Sequence, residues 1–320
     1  MNEILAKLGR IGLIPVVKLD SPEQALPLGK ALLAGHLPVA EITFRTDAAE
    51  EAIKILSKEL PELITGAGTV TTVEQVDKAA AAGARYIVTP GLNPKVVAYC
   101  QEKGLPVTPG VNSPSQIEQA LEMGLKVAKF FPAGVSGGVP MLRALAGPYG
   151  DRISFIPTGG VNTANLVDYL SCGNVFAVGG SWMVPGDAIR NRDFIKVETL
   201  CKEARMLSLG FSLLHIGVNP DGGEDPFKVG RLMSELFGMQ FKEGNNSAFV
   251  GVSFEMMKKN GRGRHGHIAI ETISVERALE WFAEFGIKPV ADTIHMNDSN
   301  ISSVYLDWDI MGFAVHLNRK

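Results

Sequence analysis

The chain has 320 residues, too many for one average domain and a comfortable length for two. Hydrophobic residues make up 46% of it, charged residues 20%, and the net charge is −3, which excludes the broad basic surface that a nucleic-acid partner requires. Cys100, Cys172 and Cys201 form no CxxC pair and are odd in number, which argues against a disulfide framework and for a reducing compartment.

The first segment, MNEILAKLGRIGLIPVVKLD, is interrupted by Pro15 and has no small-residue cleavage site, so it does not read as a signal peptide. No apolar run approaches the ~20 residues of a membrane span, and the cytoplasm is the expected location. Short β-rich runs then alternate with helical stretches: LIPVV (13–17), VAEITF (39–44), ELITGAG (62–68), RYIVTP (85–90), LPVTPG (105–110), KVAKFF (126–131), ISFIPTGG (153–160) and VFAVGG (175–180). Between them, segments such as SPEQALPLGKALLAG and TTVEQVDKAAAAG open on Ser or Thr caps and close on glycine. Strand–helix units repeating every ~20–27 residues predict a (β/α)8 TIM barrel. A doubly wound open sheet is the alternative, but no complete GxGxxG follows the first strand.

After Pro185, DAIRNRDFIKVETLCKEARMLS reads as one long helix that closes the barrel. The rhythm then changes. LLHIGVN, a helix near DPFKVGRLMSELFG and the strand-like FKEGNNSAFVGVSFEMMK are echoed by GHIAIET, helical SVERALEWFAEFG and VYLDWDIMGFAVHL. This pattern predicts a smaller α+β domain made of a duplicated βαβββ module. The expected domains are residues 1–207 and 211–320, with the boundary near 205–211.

Functional residues of such a barrel sit at the C-terminal ends of its strands. Lys129 lies in KVAKFFP among aromatic and aliphatic neighbours, where desolvation disfavours an ammonium and frees the amine to attack a carbonyl; a lysine reaching solvent from a strand end is the plain alternative. Glu41 interrupts an apolar run, where a carboxylate is costly unless paired. Alternation places Glu41, Thr43 and Arg45 on one face, either as a structural Glu41–Arg45 ion pair or as a proton shuttle beside a carboxylate clamp. PTGGV and VGGS end the seventh and eighth strands, and their glycines, with a helix opening at Asn162–Asn165, suit a phosphate; ordinary turns are the alternative.

Together the stretches IPVV, EITFRT, GAGTV, TPGLNP, KFFPA, PTGGV and VGGSWMVP resemble the 2-keto-3-deoxy-6-phosphogluconate aldolase family, which includes the bifunctional 4-hydroxy-2-oxoglutarate aldolases. They occur in family order across about residues 1–205. The resemblance implies a (β/α)8 class I aldolase, a homotrimer, that needs no metal or other cofactor. Its Schiff-base lysine falls on Lys129 and its acid/base glutamate on Glu41. Carboxylate-binding roles fall on Arg45 and Thr69, pocket walls on Pro90 and Phe131, and the phosphate end on Gly159, Gly160 and Ser181 with Thr158 adjacent. The implied substrates are small 2-keto acids and sugar-acid phosphates, cleaved to pyruvate and an aldehyde.

Residues 211–320 resemble the vicinal oxygen chelate (glyoxalase-like) fold through LLHIGVN, FEMM, GHIAIET and GFAVHL. The family's metal positions hold His215, Glu255, His267 and His316, the last being more often glutamate in the family. Such a set suits a divalent Zn, Fe, Mn or Ni ion, and His265 is a candidate substitute ligand. Two alternatives stay open: a metal-free module for packing, assembly or sensing, and a chain whose activity or ligand sensing resides in this domain while the barrel is a scaffold.

Overall fold

In the computed structural model, which describes residues 2–298 and 300–320, the chain divides into two units, Met1–Ser208 and Leu209–Lys320. No helix among the described residues is long and apolar enough to cross a membrane.

The N-terminal unit is a curled parallel sheet wrapped by helices. Its strands are β1 (Leu13–Val17), β2 (Val39–Thr43), β3 (Ile64–Gly68), β4 (Ile87–Val88), β5 (Val107–Thr108), β6 (Gly110–Val111), β7 (Val127–Phe130), β8 (Ser154–Pro157) and β9 (Val178–Gly180). Pairing runs β5–β4–β3–β2–β1–β9 and β6–β7–β8, and parallel bridges Phe155↔Val175 and Thr158↔Gly179 link the two sets. The run LPVTPG, expected as one strand, is split at Pro109, which has no N–H for the ladder but whose carbonyl accepts from Lys129 N at 2.9 Å.

Every residue of β2 and β3 is buried, Glu41, Thr43 and Thr65 included, as in a parallel sheet covered on both faces. The flanking helices show the complementary pattern. In Ala49–Glu59 the buried residues are Ala49, Ala52, Ile53 and Leu56, a single stripe at helical spacing that seals the outside of the sheet. Full burial of a leucine such as Leu56 contributes roughly 1.5–3 kcal/mol.

The segment expected to be one closing helix is two, Gly186–Arg190 and Phe194–Leu209. Arg192 adopts φ 57, which no helix tolerates, and Asp193 Oδ1 accepts from Lys196 N at 3.0 Å to start the second helix. The short helix expected to open at Asn162 starts at Leu166, because Asn165 Oδ1 accepts from Asn162 N at 2.9 Å and holds a turn there instead.

The C-terminal unit is built on one eight-stranded sheet. Its strands are β10 (Ser212–Val218), β11 (Phe241–Glu243), β12 (Ser247–Val250), β13 (Phe254–Met257), β14 (Gly266–Thr272), β15 (His295–Asn297), β16 (Asn300–Ile310) and β17 (Phe313–Arg319), in the order β11–β12–β13–β10–β14–β17–β16–β15. Each half runs strand, helix, three strands, with β15 an additional short strand beyond those expected from the sequence. The first strands of the halves, β10 and β14, pair antiparallel at the centre, and each half's last strand pairs parallel with its first. Leu209, Val275, Ala278, Val304, Leu306, Val315 and Leu317 form a buried core in this unit.

Candidate functional site

In the N-terminal unit β2 and β7 aim one charged side chain each at the same buried point. Lys129 Nζ donates to Glu41 Oε1 at 3.2 Å, across 88 residues of sequence, and the two residues are only 5% and 2% exposed. Two buried charges persist only when paired like this. A Cβ at Gly68 would stand 2.3 Å from Glu41 Oε1, so the GAG turn of β3 makes room for the carboxylate. The carboxylate's ion-pair partner is therefore Lys129, and Arg45 is engaged elsewhere, its Nε donating to Thr69 Oγ1 at 3.3 Å.

Above the pair, Phe131 lies with its ring centroid 5.2 Å from Lys129 Nζ and forms part of a cavity of about 440 Å³. Of the residues expected at the site, Arg45, Phe131, Thr158, Gly159, Gly160 and Ser181 line that cavity. Lys129 and Glu41 lie beneath its lining, Thr69 meets it only through Arg45, and Pro90 is set back, its carbonyl packing against Gly110, the strand partner of Lys129. Gly159 and Gly160 have φ of 89° and 84°, a left-handed conformation that costs other residues about 1–2 kcal/mol. A Cβ at Gly160 would also press on Gly134 Cα at 3.3 Å.

Further residues that local sequence pattern does not mark line the cavity. Val17, Lys18, Val184 and Gly186 line the cavity, and only the strand-end position of Val17 and Lys18 hinted at it. Thr43 also lines it, with its hydroxyl donating to the Val17 carbonyl at 2.8 Å. Tyr86 is fully buried, donates to the Ala40 carbonyl at 3.0 Å, and has its phenol pushed well up by burial first and by the Glu41 charge second. Nothing local distinguishes Tyr86 in sequence from a core aromatic.

A family model described as KDPG and KHG aldolase matches residues 4–200. The chain belongs to that family. The 2-dehydro-3-deoxy-phosphogluconate aldolase of Haemophilus influenzae is 47% identical over 202 residues, covering 63% of this chain and 95% of the relative. The KHG/KDPG aldolase of Escherichia coli is 41% identical over 191 residues, 60% of this chain and 89% of the relative. Among solved structures, a KDPG aldolase from Legionella pneumophila, with pyruvate captured as a covalent carbinolamine, is similar with a TM-score of 0.61 and 40% identity, covering 63% of this chain and 98% of that one. The KDPG and KHG aldolase match lies within the N-terminal unit.

In the C-terminal unit the central strands β13–β10–β14–β17 bring together Glu255, His215, His267 and His316. One donor atom from each of the three histidines falls within 4.8 Å of the others. His215 Nε2 and His267 Nε2 stand 3.1 Å apart, and Glu255 Oε2 is 3.3 and 3.0 Å from them. The register explains the convergence: His215 and His316 each pair with Ala269, and His267 pairs with Gly217 and Ala314, so small residues flank every ring. A Cβ at Gly217 would come within 2.0 Å of His267 Cε1.

The groups of the cluster perturb one another strongly. Hydrogen bonds from His215 and His267 hold the Glu255 carboxyl far below its usual range. Burial first, then the neighbouring histidines, pushes His316 down to about 4, and its Nε2 is buried with no hydrogen-bond partner. Three ring nitrogens and a carboxylate oxygen converging, with His316 Nε2 and also His267 Nδ1 buried and unpartnered, fit a divalent ion. His265 lies outside this set; it precedes β14, and its Nε2 sits 3.0 Å from Arg264 Nε.

Proposed function

We propose that the N-terminal unit is a (β/α)8 class I aldolase that cleaves 2-keto-3-deoxy-6-phosphogluconate to pyruvate and D-glyceraldehyde 3-phosphate, and also acts on 4-hydroxy-2-oxoglutarate. The observation that carries this reading is the buried Lys129–Glu41 contact beside a cavity lined by an arginine and two left-handed glycines. Lys129 Nζ attacks the C2 ketone, the carbinolamine loses water, and the iminium serves as an electron sink. Glu41, directly or through a water, removes the C4 hydroxyl proton. The C3–C4 bond then breaks and its electrons form the pyruvate enamine. The same carboxyl group returns a proton to C3, and hydrolysis frees pyruvate and the lysine.

Around that centre Arg45, bonded to Thr69, clamps the substrate carboxylate, a fork geometry suited to paired oxygens. Phe131 walls the reacting carbons, with Pro90 backing Gly110 behind the lysine strand. Gly159 and Gly160 turn their backbone amides, with Ser181 and Thr158 alongside, to the phosphate. The enzyme works as a homotrimer in the cytoplasm. Borohydride reduction with pyruvate, followed by peptide mass mapping, tests the assignment: a pyruvyl adduct on Lys129 is expected, and its absence overturns the proposal.

The C-terminal unit, Leu209–Lys320, is by this proposal a vicinal oxygen chelate-type domain whose His215, Glu255, His267 and His316 hold a divalent metal. A bound ion would supply Lewis-acid polarisation of ligand oxygens. Metal analysis of the full chain tests it: one equivalent is expected in the parent protein and a large loss in His267→Ala.

A further inference from the structure

A second feature of the C-terminal unit points to what that centre binds. The loop from Lys258 to His265 joins β13, which carries Glu255, to β14, which carries His267, and it holds Lys258, Lys259, Arg262 and Arg264. It is not a loose surface segment. Buried Asn219, just after β10, donates to the carbonyls of Gly261 and Gly263 at 3.3 and 2.8 Å and accepts from Gly261 N at 2.8 Å. Arg262 is thereby clamped on both sides by backbone that one side chain fixes.

The Arg262 guanidinium reaches toward the histidine cluster through one intervening ring. Arg262 Cζ lies 5.6 Å from the centroid of the Tyr305 ring, and Tyr305 stacks on His316 with centroids 4.7 Å and planes 28° apart. Its Nη2 bonds Asp292 at 2.9 Å, but the two side chains are 44% and 74% exposed, and pairs this open hold weakly. An incoming anion displaces Asp292 at little cost. Arginine presents a fork matched to carboxylate or phosphate oxygens, and a six-coordinate ion held by four protein donors would keep two positions for oxygens of a ligand, where a tetrahedral ion would keep none.

We propose that the C-terminal centre binds a 2-oxo acid bearing a second anionic group at its far end, and that Arg262 receives that group. The inference rests on the reading of the histidine cluster as a metal site. Both substrates assigned to the barrel have this chemistry, a 2-oxo carboxylate at one end and a phosphate or carboxylate at the other, so the two units share one class of ligand.

The test uses the full-length chain carrying Lys129→Met, to silence the barrel amine, loaded with one equivalent of Co²⁺ and followed by its visible absorption. The probes are 2-oxoglutarate and 2-oxobutyrate, which differ in the second carboxylate. Both should shift the cobalt bands, with 2-oxoglutarate binding about tenfold or more tighter, the gain of a charge-assisted bidentate contact. Arg262→Ala should abolish that preference, and Asp292→Ala should strengthen 2-oxoglutarate binding, a gain that loss of mere structural support would not produce. Equal affinity for the two probes, or a preference that survives Arg262→Ala, overturns the proposal while leaving the metal site standing. Absence of cobalt bands overturns the metal reading itself, and this proposal with it.

Discussion

Replacing Glu41 with glutamine keeps the side chain's volume and an acceptor oxygen for Lys129, but removes the charge and the ability to move a proton. The carboxylate sits 3.2 Å from Lys129 Nζ, where at an effective dielectric of 20 the attraction is about 5 kcal/mol before desolvation is counted. Loss of a general acid–base group slows the chemical step by roughly 10²–10⁴, equivalent to about 3–5 kcal/mol of barrier at 1.36 kcal/mol per decade. Leaving one buried charge without its partner costs about 3 kcal/mol or more, a fall in Tm on the order of 6–12 °C for a unit of this size. Adding Lys129→Met should recover most of that stability, since removing both charges leaves nothing to compensate. Pyruvate release, coupled to lactate dehydrogenase, reads the rate, and calorimetry reads the stability. A kcat within tenfold of the parent enzyme would refute the proton-transfer role, and an unchanged Tm would refute the buried-pair argument.

Other consequences are as direct. Gly160→Ala forces a left-handed alanine against Gly134 Cα at 3.3 Å; KM for the phosphorylated substrate should rise about tenfold or more, with 4-hydroxy-2-oxoglutarate cleavage little changed. Equal losses on both substrates would show that these glycines do not serve the phosphate. Gly217→Ala places a methyl 2.0 Å from His267 Cε1, so metal affinity should drop about 10–100-fold while the far-UV spectrum is kept; stoichiometric metal at unchanged affinity would contradict it. Burial raises the thiols of Cys100 and Cys201 to about 11 and about 12. They stay protonated below those values, so native protein at pH 8 should resist iodoacetamide at both sites until denatured, as peptide mapping would read.

Local chemistry made much of the N-terminal unit legible. Alternating β-rich runs and capped helices announced the strand–helix units because period and caps are properties of neighbours in sequence. KFFPA and EITFRT marked Lys129 and Glu41 as odd residues in apolar strands for the same reason. Failures came where a single side chain overrode the pattern. Arg192 at φ 57 broke a helix whose periodicity looked continuous, and Asn165 delayed another by bonding back to Asn162.

Only the tertiary structure decided who meets whom. By spacing the sequence offered Glu41 a single ion-pair partner, Arg45, four residues away; the curl of the sheet brings it instead to Lys129, 88 residues away. Likewise His215, Glu255, His267 and His316 are scattered in sequence, and the order β13–β10–β14–β17 put them side by side. The composition and order of side chains set which elements form and which face each one buries. Register and strand order, which depend on all elements packing at once, set the distances on which the chemistry depends.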